Sequence, residues 1–148
     1  MGDTMTDVAM QERREQLIAE LADHTMYELI GGEPALRTIV DHFYDVMDGD
    51  PRFVPIRVMH ADDLGEMRVG LFEFLSGWLG GPPLFVQRNG SVCLTHAHMP
   101  FTIGTEARDL WLQCMGRAMN LAAVPLRYQE AVFPALFNIA ESLRNADD

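Results

Sequence analysis

Two histidines lie two residues apart in the second half of the chain, His96 and His98, just before Pro100. In a strand both side chains would share one face, and together with a carboxylate from elsewhere they could chelate a zinc or iron ion. In a helical turn they diverge by about 200°, so that one of them faces inward as a single ligand. In a loop they are ordinary surface histidines. The spacing alone leaves all three alternatives open.

Three aromatic side chains elsewhere could serve a buried site: Tyr44, His60 and Trp111. Tyr44 and Trp111 lie on or beside apolar helix faces, where a hydroxyl or an indole N–H could donate a hydrogen bond to a ligand. Their structural alternative is a core aromatic residue whose hydroxyl or N–H reaches a nearby carbonyl. For His60, which lies close to an acidic pair, the alternative is a solvent-exposed histidine.

The sequence carries no serine-hydrolase elbow, P-loop, dinucleotide-binding glycine motif or HExxH zinc motif. Its two cysteines, Cys93 and Cys114, form no CxxC pair, which excludes an all-cysteine zinc site and covalent haem attachment through CxxCH. Cys114 lies on an apolar helix face, and this position predicts an inert buried thiol rather than a nucleophile.

The length of 148 residues and a hydrophobic content of 48% predict one globular domain. The 22 acidic residues exceed the 11 lysines and arginines, so the net charge of −11 disfavours nucleic acid and anionic membranes as partners. No apolar signal core and no stretch of roughly 20 apolar residues are present, so we expect a cytoplasmic protein without a membrane span.

Apolar periodicity predicts an all-α fold in which four long helices position these residues. They run from Glu33 to Asp48-Gly49-Asp50-Pro51, from Asp62 or Asp63 to Gly80-Gly81-Pro82-Pro83, from Thr105 to Leu121, and from Pro125 past Leu143. A capped turn from Thr25 to Gly31 precedes them. Residues 80–96 are predicted to form the longest loop, with an extended piece at Leu84 to Gln87.

The first 24 residues are set apart by their polarity. Asp7 to His24 is predicted to form a mostly polar helix with a thin apolar stripe. We therefore expect residues 1–24 to be an N-terminal extension, an accessory helix or a dimer contact, and residues 25–148 to be the globular domain.

A set of motifs, taken in their order along the chain, resembles a group II truncated haemoglobin over roughly Tyr27 to Asn145. The motifs are Tyr27-Glu28-Leu29-Ile30-Gly31-Gly32, Phe43-Tyr44, Met59-His60, Phe74-Leu75-Ser76-Gly77-Trp78-Leu79-Gly80-Gly81-Pro82-Pro83, His98-Met99-Pro100-Phe101 and Arg108-Asp109-Leu110-Trp111. The ordered set is specific, whereas any one fragment would be weak. The resemblance implies a truncated globin-like two-over-two helical sandwich that holds non-covalent haem b.

The resemblance also implies a role for individual residues. His98 would be the proximal iron ligand, and His96 would then point away. The family places ligand-stabilising groups at the positions of Tyr44, His60 and Trp111, since a polar bound diatomic gains from O–H and N–H donors. The residues expected to contact the cofactor are Met67, Leu71, Phe74, His98, Phe101 and Trp111.

The chain departs from this family at two positions. Many members carry an arginine just before the proximal histidine and a lysine one residue before the leucine that matches Leu71, and both can pair with a haem propionate. Ala97 and Gly70 occupy these positions here. The candidates for replacing them are Arg68, Arg88, Thr95 and His96.

Three functions follow from these patterns. The first is a haem protein that reversibly binds dioxygen, nitric oxide and carbon monoxide and serves oxygen transport or sensing. If it is also an enzyme, we expect nitric oxide dioxygenation or peroxide reduction, with a reductase as partner. The second, motivated by Ala97 and Gly70, is an all-α interaction module with weak or lost haem binding. The third is a non-haem metal enzyme that uses His96 and His98. Both a monomer and a homodimer fit the sequence.

Overall fold

The computed structural model describes residues 4–90 and 94–146, except for the side chains of Thr4, Thr95 and His96. Within these ranges the chain is helical and has no strand. The helices are α1 Thr4–Leu21, α2 Met26–Ile30, α3 Gly32–Gly49, α4 Val54–Arg57, α5 Gly65–Trp78, α6 Leu84–Asn89, α7 Leu94–His98, α8 Thr105–Leu121 and α9 Leu126–Ser142, with a 3-10 turn at Pro51–Phe53. None of them is both long and apolar enough to cross a bilayer.

The four long helices α3, α5, α8 and α9 form two packed layers. Helix α3 packs against α5 and α8, and α8 packs against α9. Apolar residues recur at helical spacing on α3 and are buried there, which gives that helix its central place. They are Leu36, Ile39, Val40, Phe43 and Met47. This arrangement confirms the predicted two-over-two sandwich.

The short helix α2 is held against the end of α5. The Thr25 hydroxyl accepts the Glu28 backbone N–H, while the Glu28 side chain accepts the Thr25 backbone N–H, so the helix begins with a capping box. The Tyr27 backbone N–H donates to the Leu79 carbonyl at 2.9 Å. A Cβ atom at Gly81 would lie 2.5 Å from Cγ of the Tyr27 ring, so only glycine allows this approach.

Two segments differ from the sequence prediction. The predicted extended piece at Leu84 to Gln87 is wrong, because these residues begin helix α6. Residues 94–96 of the predicted loop belong to helix α7, which agrees with the helical alternative for His96 and His98. Phe85 of α6 packs edge-on against Phe74 of α5, with 6.5 Å between ring centroids. Gly90 ends α6 with a φ of 82°. A helix of 6 residues shows no apolar periodicity long enough to be recognised.

Helix α1 begins and ends about three residues earlier than the predicted Asp7–His24. Polar contacts join it to α9. Arg13 pairs with Glu130, Arg127 Nε donates to Glu20 at 2.6 Å, and the Tyr128 hydroxyl donates to the same Glu20 carboxylate. The hydrogen bond from Arg127, and to a smaller extent the one from Tyr128, holds the pKa of Glu20 below its ordinary value.

Candidate functional site

His98 ends helix α7 and is half-buried. Its Nδ1 lies 2.7 Å from the Leu94 carbonyl oxygen, one turn earlier. A carbonyl oxygen only accepts, so Nδ1 is the nitrogen that carries the proton. This tautomer leaves the Nε2 lone pair free, which is the state of an imidazole that ligates a metal.

A row of aromatic rings joins the three other predicted site residues. Tyr44 and Trp111 both pack edge-on against Phe43, with ring centroids 4.9 Å and 5.4 Å away. The ring centroids of Tyr44 and His60 are 6.0 Å apart. Helix α3 supplies Phe43 and Tyr44, α8 supplies Trp111, and His60 lies in the connection between α4 and α5. The fold therefore brings together residues that are far apart in sequence.

The polar groups of two of these rings are unused by the protein. Tyr44 is only 5% exposed, yet its hydroxyl makes no hydrogen bond within residues 4–90 and 94–146. The Trp111 indole N–H likewise has no acceptor in the part of the chain that the structure describes. No described protein group occupies either donor, so both are available to a ligand.

His60 differs from these two donors. Its Nδ1 lies 2.8 Å from the Ile56 carbonyl oxygen and therefore donates to it. Burial is the main cause that lowers the pKa of His60, the hydrogen bond to the Ile56 carbonyl opposes it, and the positive charge of Arg57 lowers the pKa further. The neutral ring keeps its lone pair on Nε2, so His60 accepts rather than donates a hydrogen bond on that side.

The remaining predicted contact residues are apolar side chains only partly covered by protein. Leu71, Phe74 and Trp111 pack with one side against the core. Met67 is 37% exposed and Phe101 is 40% exposed. A free imidazole nitrogen, two unpaired donors and a set of half-covered apolar and aromatic side chains fit haem b, a flat apolar group with one axial ligand.

Asn145, which follows α9 and ends the stretch of family resemblance, is not among the predicted site residues. Its side-chain oxygen accepts the Ile103 N–H at 2.8 Å, and its side-chain nitrogen donates to the Phe101 carbonyl at 2.7 Å. Its own backbone N–H donates to the Ile103 carbonyl at 2.9 Å. Asn145 thus fixes the loop that follows His98. An isolated polar residue near a terminus carries no periodic signal that could identify it.

The two departures from the family lie where longer side chains would fit. A Cβ atom added at Gly70 of α5 would meet open space, and Ala97 is exposed. Arg68 pairs with Asp41 and Asp45, and Arg88 pairs with Glu73. Two of the four candidate propionate partners are therefore engaged elsewhere.

The side chains of the other two candidates, Thr95 and His96, lie outside the described residues. The backbone of α7 is nevertheless helical through His96 and His98, which is the geometry of a single inward ligand. Among the described side chains, no three His, Cys, Asp or Glu residues come together as a metal site.

Comparison with known proteins identifies the family. The family model described as bacterial-like globin matches residues 25–145. The group 2 truncated hemoglobin YjbI of Bacillus subtilis is 36% identical over 119 residues, which is 80% of this chain and 87% of that protein. The match therefore extends over nearly the whole globular part of the chain.

Two solved structures share the fold described above. The cold-adapted truncated hemoglobin of Pseudoalteromonas haloplanktis TAC125 is 40% identical, with a TM-score of 0.79, over 84% of this chain and 100% of that one. The group II 2-on-2 hemoglobin of Agrobacterium tumefaciens is 32% identical, with a TM-score of 0.81, over 84% and 96% of the two chains. The chain belongs to the bacterial-like globin family, as a truncated haemoglobin of group II.

Proposed function

We propose that this globin holds haem b through His98 and binds dioxygen reversibly on the side of Tyr44 and Trp111. Haem supplies an iron that takes up a diatomic ligand when it is ferrous. The chain supplies the rest. His98 offers Nε2 because Leu94 holds its Nδ1 proton, and Met67, Leu71, Phe74 and Phe101 provide apolar contacts that keep water away.

The single observation that supports this function best is the unused hydroxyl of the buried Tyr44. This hydroxyl has no hydrogen-bond partner among the described residues, and a polar diatomic ligand would supply an acceptor for it. Carbon monoxide and nitric oxide are further ligands that we propose for the same site. His60 contributes there as an acceptor, whereas Tyr44 and Trp111 are the donors.

The test is an absorption spectrum of protein purified with an adequate haem supply. We expect about one haem per chain and an intense Soret band. The His98→Ala variant should lose most of the haem or bind it with altered ligation, whereas the matched His96→Ala variant should keep it. Haem loss in His96→Ala with a silent His98→Ala would overturn the assignment of the iron ligand, and a colourless wild type would favour the interaction module.

A redox role would add a partner. Nitric oxide dioxygenation would need one electron per turnover to restore the ferrous state, and peroxide reduction would need two electrons per peroxide. We propose a reductase as the source of these electrons. The net charge of −11 predicts contact through a basic reductase surface. Reduction rates that are independent of salt would argue against such a contact. Sedimentation velocity distinguishes the monomer from the homodimer.

A further inference from the structure

Arg68 of α5 binds the stretch of α3 that carries Tyr44. Its Nη1 donates to the Asp41 carboxylate at 3.0 Å and to the Asp41 carbonyl at 3.2 Å, and its Nη2 donates to Asp45 at 2.7 Å. The Arg68 side chain is 30% exposed. Asp41 and Asp45 lie one turn apart on α3, so both ends of the guanidinium fork are fixed next to Tyr44.

The held guanidinium lies close to the Tyr44 ring, with 5.8 Å between its carbon and the ring centroid. A cation at this distance attracts the electrons of the ring and makes the phenol a stronger hydrogen-bond donor. The charge of Arg68 acts on the Tyr44 pKa in this direction, against the larger effect of burial. Burial raises the pKa of the Tyr44 hydroxyl well above its ordinary value, and the charge of Arg68 lowers it again.

The simpler alternative is that Arg68 only joins two helices, as many surface ion pairs do with little effect. The chain contains a control for this alternative. The guanidinium carbon of Arg37 on α3 lies 4.2 Å from the ring centroid of Phe72 on α5, and Arg37 pairs with Glu33 within α3. Like Arg68, Arg37 therefore combines an ion pair with a contact to a ring on the other helix. The Phe72 ring has no hydroxyl, and neither Arg37 nor Phe72 belongs to the candidate site.

We propose that Arg68 is a positioning residue for ligand binding, held by Asp41 and Asp45 so that its charge strengthens the hydrogen bond from the Tyr44 hydroxyl to a bound diatomic. The proposal rests on the function proposed above. It requires the charge of Arg68, its fixed placement and the Tyr44 hydroxyl together, and each of the three can be removed separately.

The first measurement is the dioxygen off-rate of the haem-loaded protein by stopped flow. Arg68→Met should raise the off-rate about two- to fivefold, the range of one exposed cation–ring interaction. Arg68→Lys keeps the positive charge but cannot bind Asp41 and Asp45 with two ends of a guanidinium group, so it should raise the off-rate less than Arg68→Met does. Arg37→Met should leave the off-rate unchanged. In the Tyr44→Phe background Arg68→Met should have no effect, because Arg68 acts through the hydroxyl.

The second measurement does not depend on ligand release. In the carbon monoxide complex labelled with 13C at the tyrosine ζ carbon, the Tyr44 signal is identified by its loss in Tyr44→Phe. Arg68→Met should shift this signal and Arg37→Met should not. An unmoved signal would overturn the proposal, as would an Arg68→Met effect of equal size in both backgrounds, which indicates general loosening of the helices.

The two proposals fail in different ways. If Tyr44→Phe leaves the off-rate unchanged, Tyr44 is no ligand donor, and both the proposed function of this residue and the role of Arg68 are wrong. If Tyr44→Phe raises the off-rate but Arg68→Met does not, the proposed function stands and only the role of Arg68 is wrong.

Discussion

His98 and His60 make the same local hydrogen bond and differ in their surroundings. Each donates its Nδ1 proton to the carbonyl four residues earlier and presents Nε2 with a lone pair. We propose that His98 uses this lone pair as the metal ligand, whereas at His60, next to the Tyr44 ring, the lone pair can accept a hydrogen bond. Our proposal therefore assigns the donor role on that side to Tyr44 and Trp111, and a change at either should alter ligand binding.

Tyr44→Phe and Trp111→Phe should each raise the dioxygen off-rate by about 10-fold to 150-fold, since a hydrogen bond to a charged acceptor contributes roughly 1.5–3 kcal/mol. Most of the change in affinity should appear in the off-rate. Carbon monoxide is less polar when bound and serves as the control ligand, with a much smaller response. Unchanged dioxygen off-rates in both variants would return the two residues to a purely structural role.

Ala97→Arg should slow haem loss. Ala97 is exposed, so an arginine there can reach a propionate without displacing other side chains. The gain is limited to about 1 kcal/mol, or roughly fivefold in rate, because an exposed pair is weakened by solvent. Transfer of haem to an acceptor apoprotein measures the rate, and the difference should shrink at high salt. Equal rates at low salt would mean that the propionates are already anchored.

At the level of elements, a helix can be predicted from the sequence only when it is long enough to repeat its apolar residues over several turns. Helices α3 and α8 repeat their apolar residues over several turns, and the sequence predicts both. Helices α6 and α7 contain 6 and 5 residues, and the sequence predicts a loop over residues 80–96, which includes all of α6 and the first three residues of α7. Long-range pairs such as Asp41 with Arg68 leave no local pattern. The site residues Tyr44, His60 and Trp111 are predicted only through the family resemblance, because no local pattern distinguishes them from core aromatic residues.

The connection between α9 and the loop after His98 can be tested at Asn145. Asn145→Ala removes two side-chain hydrogen bonds to that loop, each with a net value of about 0.5–1.5 kcal/mol. Haem loss should therefore become several times faster. Asn89→Ala is the control, because Asn89 makes one hydrogen bond to Phe85 within α6. Equal haem-loss rates for the Asn145 variant and the wild type would show that the loop after His98 keeps its conformation without the hydrogen bonds of Asn145.

Helix α1 should be dispensable for haem binding, since the contacts that join it to α9 are ion pairs and one tyrosine hydroxyl. A chain that lacks residues 1–24 should keep its haem and its remaining helix content, with a slightly lower thermal midpoint. Loss of folding in this chain would place α1 in the core.

The stabilisation by α1 should depend on pH. Arg127 and Arg13 hold the pKa values of Glu20 and Glu130 below the ordinary value of 4.5. A lowered carboxyl pKa stabilises the fold above the ordinary value, and this contribution is lost as the pH falls through the folded-state value. The difference in thermal midpoint between the full and shortened chains should thus shrink as the pH falls below 4.5 and vanish below the lowered folded-state pKa values, whereas a constant difference would exclude the ion pairs as its cause.

At the scale of the whole molecule, haem and fold support each other. Apolar side chains such as Met67 and Phe101 are partly exposed in the protein alone and would be covered by the cofactor. Removal of haem should lower the thermal midpoint by about 10 °C, which corresponds to a haem concentration near 1,000 times its Kd. Calorimetry of the protein with and without haem measures the shift. Identical midpoints would mean that the cofactor does not bind the folded state more tightly than the unfolded chain.

The approach of Gly81 to the Tyr27 ring limits how this protein can evolve. Even a methyl group at Gly81 would overlap the ring, whereas a methyl group at Gly70 would meet open space. Two glycines on or just after the same helix therefore differ in mutational tolerance. In a variant library selected for folding, Gly70 should accept many residues, and alanine there should be enriched because it favours the helix. Gly81 should persist unless Tyr27 changes with it.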